Sequence, residues 1–166
     1  MLVPEALDKL VKPWADFYSH STPATSIVQF LHIGGLLLAG GLAISADRAT
    51  IRSRKWAVAE RRHQMAELAG THKWVVMGLV VVVISGVGML AADLDTFLPS
   101  WVYWTKMALV LVLLINASRM MHFENQLKVD DNESSPFWSK LHRVSIVSIT
   151  LWFVITLFGA ILANIS

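Results

Sequence analysis

The chain has 166 residues, of which 55% are hydrophobic and 16% charged, and its mean hydropathy is +0.54. A soluble domain carries about 25% charged residues, so these values exclude an ordinary one, and the absence of cysteine excludes disulfides, thiolate metal sites and iron–sulfur clusters. The net charge is only +2 with a pI of about 9.1, and the placement of the basic residues accounts for that balance without nucleic acid.

The N-terminal piece, Val3 to Tyr18, has the pattern of an amphipathic helix. Ala6, Leu7, Leu10, Val11, Trp14 and Phe17 recur at helical spacing, with Glu5, Asp8, Lys9, Lys12 and Asp16 between them. Pro13 is expected to bend it. Such a helix would lie on a leaflet or cover a partner subunit. No basic start followed by an apolar core precedes it, so no cleavable signal is expected. Residues 1–25 are read as this outer segment and 26–166 as one transmembrane domain.

Four apolar stretches follow, at about 26–46, 74–92, 102–121 and 144–164. Each approaches or exceeds the ~20 residues that an α-helix needs to cross a ~30 Å hydrocarbon core. The expected fold is all-α: a four-transmembrane-helix bundle with an N-terminal amphipathic surface helix. Between the first two spans, Ala57 to Ala69 is rich in helix formers and Gly70 follows as a stop. Asp130 to Pro136 reads as a loop.

The Lys and Arg residues are unevenly distributed. Arg48, Arg52, Arg54, Lys55, Arg61, Arg62 and Lys73 lie between spans one and two; Arg119, Lys128, Lys140 and Arg143 lie between spans three and four. The other side has Lys9 and Lys12. Short cytoplasmic loops carry such an excess, so both termini are expected outside a bacterial inner membrane. Trp74, Trp101, Tyr103, Trp104 and Trp138 stand near span ends, as interfacial aromatics do. Contact of the basic loops with anionic lipid is the plain reading of their charge.

Polar residues inside the spans carry the functional signal, because hydrocarbon makes them costly and turns them inward. His32 lies about six residues into span one, roughly 9 Å deep at 1.5 Å per residue. Gly35, Ala39, Ala43 and Ala46 continue its stripe. The stripe admits two readings: close helix packing, or a flat ligand lying against it with the histidine at its edge. Lys106 lies in the same leaflet near the start of span three, and either snorkels to the headgroups or meets an acid group of a ligand or Asp93. Met89, in span two, is either a heme axial ligand or packing filler. At the opposite side His72 opens span two, His122 closes span three and His142 opens span four. Asn116 and Trp152 lie deeper, and His63 stands in the loop. Histidines at one level can hold a heme or a metal, or simply sit at an interface. His32, His122 and His142 are the candidate iron or metal ligands.

The run Phe30-Leu-His-Ile-Gly-Gly-Leu-Leu-Leu-Ala-Gly-Gly41, ending Ser45-Ala-Asp-Arg48, resembles the first span of small four-helix bacterial membrane proteins of uncharacterised function. Tyr103-Trp-Thr-Lys-Met-Ala-Leu-Val110 through Asn116 to His122 resembles their third span, and Trp152 to Ala163 their fourth. More distantly, a histidine in span one with a lysine opening span three is similar to the four-helix, heme-binding protoporphyrinogen oxidases and to the membrane part of CopD-type copper-resistance proteins. The resemblance singles out His32 and Lys106 and implies heme b. Three functions follow as expectations: a heme b-binding redox or heme-handling protein, an accessory subunit of a larger membrane complex, or a copper-handling protein. A quinone is a further partner that His32 and Lys106 would suit.

The charge asymmetry yields a topological prediction. Single cysteines placed between residues 57 and 69 should resist a membrane-impermeant thiol reagent added from outside; labelling from outside would contradict the orientation.

Overall fold

A computed structural model describes residues 5–129 and 135–165. The described chain is helical without strands: α1 (Glu5–His20), α2 (Thr22–Arg52), a single 3-10 turn (Ser53–Lys55), α3 (Val58–Leu68), α4 (Thr71–Ala92), the one-turn α5 (Leu94–Phe97), α6 (Trp101–Val129) and α7 (Pro136–Ile165). Four of these, α2, α4, α6 and α7, are long and apolar enough to cross a membrane. The all-α, four-span expectation therefore stands.

Three of the spanning helices outrun their expected boundaries. At 31, 29 and 30 residues, α2, α6 and α7 are each about 45 Å long, against a hydrocarbon core of ~30 Å. Apolar runs mark only the lipid-embedded part; a helix continues into charged sequence wherever packing supports it. Most of the excess lies at the end that holds α3, the end of α6 and the start of α7, called here the loop end; at the other end α2 gains four residues and α6 and α7 one each. The opposite, terminal end holds α1, α5 and the close of α7. The Ala57–Ala69 helix forms as α3. Of the expected loop Asp130–Pro136, residues 130–134 lie outside the described residues, and Pro136 opens α7.

α1 forms with Pro13 inside it. It leans on the terminal end of α4, where the Trp14 indole N–H donates to the Gly88 carbonyl at 2.8 Å. Val11 and Trp14 are half-buried, whereas Leu7, Leu10 and Phe17 remain exposed. Ser21 caps α2 by accepting the Ala24 N–H, and Thr25 ties the junction by donating to the Tyr18 carbonyl at 2.8 Å.

The bundle is two tight pairs, α2 with α4 and α6 with α7, joined through α2 and α7. α4 and α6, which would close the ring, hardly touch. The α2–α4 pair is built on small residues. A Cβ on Gly35 would stand 2.9 Å from the Gly78 carbonyl oxygen, and one on Gly78 would stand 2.9 Å from the Ala39 nitrogen. In lipid, helices associate through such close backbone approach rather than by hydrophobic burial. The stripe under His32 is thus a packing surface that α4 fills at Gly35 and Ala39, which leaves no room there for a flat ligand. α7 joins by laying Trp152 over Gly40, where a Cβ would come within 3.1 Å of the indole. Ala39, Leu113, Trp152 and Ile155 form the central cluster. A second cluster, Leu127, Leu141 and Val144, lies at the loop end with Met65 of α3 packed on it.

Gly34 and Gly41 have open space where a Cβ would go, which gives an internal control. Gly35→Ala and Gly78→Ala should each destabilise the protein by about 1–3 kcal/mol, the usual cost of overpacking. Gly34→Ala and Gly41→Ala should be neutral or slightly stabilising, given alanine's better helix propensity. Unfolding in mixed detergent micelles measures both; equal effects at the two kinds of site would contradict the contact.

Candidate functional site

His32 sits on the face of α2 that meets α4, three residues from Gly35. Its Nδ1 lies 3.1 Å from the Ser85 hydroxyl. The Ser85 Oγ donates back to the Val81 carbonyl at 2.7 Å, with the Val82 carbonyl at 3.1 Å. This back-bonding is the common habit of a helical serine, and it commits the single hydroxyl hydrogen. Ser85 is thereby placed to accept from His32, an arrangement that would put the imidazole hydrogen on Nδ1, beside the Val82 backbone as well, and leave Nε2 its lone pair in a neutral ring. The ring comes close to α4 because Gly86 has no side chain: a Cβ there would stand 3.3 Å from His32 Cε1.

Lys106 is half-buried, and its stem crosses α7 at Gly159, where a Cβ would stand 3.5 Å from Nζ. Gly159 is six residues from the end of α7, about 9 Å at 1.5 Å per residue. The ammonium thus rests against α7 at that distance from the helix end. It has no hydrogen-bond or ion-pair partner among the described residues, and it lies within electrostatic reach of the His32 ring. Asp93, a proposed partner, caps α5 instead by accepting the Thr96 N–H at 3.1 Å.

The three other histidines reach the loop end but have separate surroundings. His72 Nε2 meets Glu124 Oε2 at 3.1 Å, a link from α4 to α6 across their open side. His122 is exposed on α6 with its ring against Phe123. His142 is half-buried and lines a cavity between α3 and α7, with Nδ1 unpartnered. His63 stands on α3 beside Glu67. Among the described residues no three His, Asp or Glu side chains are close enough to hold a metal ion. Asn116 serves packing, donating to the Val144 carbonyl at 2.9 Å and so tying α6 to α7.

Sequence reasoning passed over Asp47 and Glu124. Asp47 is 2% exposed and one of its carboxylate oxygens has no hydrogen-bond partner. It faces the buried Ser145 and Ser148 hydroxyls of α7, with His72 and Glu124 within electrostatic reach. A signal was present: Asp47 continues the small stripe one four-residue step beyond Ala43, inside a helix that the hydropathy appeared to end at Ala46.

No family model matches this chain, and no curated protein or solved structure is significantly similar to it.

Proposed function

We propose that this multi-pass membrane protein is a heme b-binding redox or heme-handling protein, with His32 and Lys106 bounding the ligand site. The orientation taken from the basic loops puts that site in the outer half of a bacterial inner membrane. The observation that carries the reading is the His32–Ser85–Val81 chain. An axial histidine needs one ring nitrogen held by a hydrogen bond and the other left as a free lone pair, and Ser85 leaves Nε2 in that state. Lys106 adds an inward ammonium whose cost in hydrocarbon calls for an anionic partner, which a propionate would supply. The donor chemistry of both residues therefore fits the group. Its iron, when bound, would supply one-electron chemistry. His32 would hold the iron, Ser85 would fix the ring's tautomer and angle, and Lys106 would orient the acid edge. A ligand would lie on the open side between α4 and α6, since α4 occupies the small stripe.

A quinone headgroup suits the pair less well. Its carbonyl oxygens accept hydrogen bonds, and neutral His32 offers an acceptor at Nε2; only Lys106 can donate. The accessory-subunit reading rests on the membrane-spanning architecture alone. The copper reading finds no group of three His, Asp or Glu side chains that could hold a metal ion among the described residues.

Protein purified from heme-replete membranes should show a Soret band that His32→Ala abolishes. Ser85→Ala should keep the band but weaken heme affinity by roughly 10–100-fold, as loss of an outer-shell partner does. A chromophore retained by His32→Ala at wild-type occupancy with an unchanged spectrum would overturn the proposal. So would colourless wild-type protein from such membranes, which would favour the accessory-subunit reading.

A further inference from the structure

The loop end contains a cavity of about 220 Å³ that the His32–Lys106 site does not use. We propose that it is a phosphate-binding pocket that takes the headgroup of an anionic lipid. Its wall comes from four elements: the last turn of α2, the 3-10 turn after it, α3, and the first turns of α7 with Ser135 before them. The wall includes Arg54, Arg61 and His142 and no acidic side chain. Neither arginine has a carboxylate partner among the described residues.

The geometry holds Arg61 ready for an anion. Its Nε donates to the Trp56 carbonyl at 3.1 Å, and its guanidinium lies 4.4 Å over the Trp138 ring. The two terminal nitrogens are thereby left as a fixed fork, the arrangement that suits phosphate oxygens. The Trp138 indole N–H is itself buried without a partner, as is His142 Nδ1. An indole nitrogen can only donate, so the group that completes it is an acceptor. α7 begins at Pro136 beside the cavity wall at Ser135 and Trp138, and its first N–H groups are already taken, Phe137 by the Ser135 hydroxyl and Trp138 by the Ser135 carbonyl, so the helix adds its dipole and not free donors. Two guanidiniums and an indole donor around one space favour a multi-oxygen anion, whose own oxygens leave the Gln64 amide, unpartnered at Oε1 on the same wall, to turn its NH2 toward them.

The source of that anion follows from the rest of the wall. Met65 and Leu141 give it an apolar side, which suits glycerol and the upper acyl chain and serves no purpose for free phosphate. Trp138 lies just before the apolar part of α7, at the depth where interfacial tryptophans and headgroups meet. Basic pockets at this level of a bundle bind acidic headgroups.

The test uses the full chain in detergent, titrated with phosphatidylglycerol or phosphatidylcholine and followed by native mass spectrometry. The expected result is one phosphatidylglycerol retained on the order of tenfold more tightly than phosphatidylcholine. Arg54→Gln and Arg61→Gln should each weaken it by roughly the same factor, the effect of a lost charge-assisted hydrogen bond. Trp138→Phe keeps an aromatic face beneath Arg61 and removes the N–H; it should weaken retention too. Lys140→Gln, an exposed change outside the cavity, should leave retention unchanged. Equal retention of both lipids, or a Lys140→Gln loss equal to that of Arg61→Gln, would overturn the proposal. Inorganic phosphate forms the second arm: binding as tight as the lipid's would overturn the lipid source. In wild-type protein the Trp138 indole N–H resonance should move on adding phosphatidylglycerol; an unmoved resonance contradicts the site without relying on any variant's folding.

Discussion

The close approach of α2 and α4 at Gly35, Ala39 and Gly78 is the contact on which the rest of the bundle depends. Lipid tails are as apolar as leucine, so helices in a bilayer gain nothing by merely hiding apolar surface from the solvent. They gain by fitting closely. Here the fit brings backbone to backbone: a single methyl group on Gly35 or Gly78 would come within 2.9 Å of the facing chain. A contact that tight admits one register. Ala39 stands opposite Gly78, and Gly35 opposite the Val82 side chain four residues on. Three residues further along both helices, His32 meets Ser85. Each step down α2 is matched by an equal step along the antiparallel α4. The register of the small residues therefore selects the partner of the histidine, and through that partner its tautomer.

The same economy runs through the other polar groups. Asn116 spends its amide on the Val144 carbonyl, and His72 pairs with Glu124 where α4 and α6 otherwise stand apart. Apart from the groups around the loop-end cavity, two ionisable side chains stand out. Lys106 has an ammonium without a hydrogen-bond partner among the described residues, and Asp47 has a buried oxygen without one. They lie at opposite ends of the bundle, one cationic and one anionic.

Much of this was legible in the chain. Apolar runs of the length of a bilayer identify the four spans, and the cost of charge in hydrocarbon is enough to turn His32 and Lys106 inward. Small residues at steps of three and four identify the packing face of α2. What the chain hides is which surface that face meets, since close packing and a flat ligand ask for the same residues. Helix ends are hidden for another reason. Hydropathy reports where lipid stops, whereas α2 and α6 run on through charged sequence, and Asp47 and Glu124 fall in those extensions. Nor does depth give direction around a helix. His72, His122 and His142 share a level, but one faces Glu124, one is exposed on α6, and one lines a cavity under α3.

The central claim is that helix packing holds His32 with hydrogen on Nδ1 and a bare Nε2. The most direct measurement is the pair of ¹⁵N ring shifts of His32 in ligand-free protein reconstituted in bilayers, at a pH where the ring is neutral. The account requires a protonated, pyrrole-like Nδ1 and an unprotonated, pyridine-like Nε2. The opposite tautomer, hydrogen on Nε2 and none on Nδ1, would contradict it.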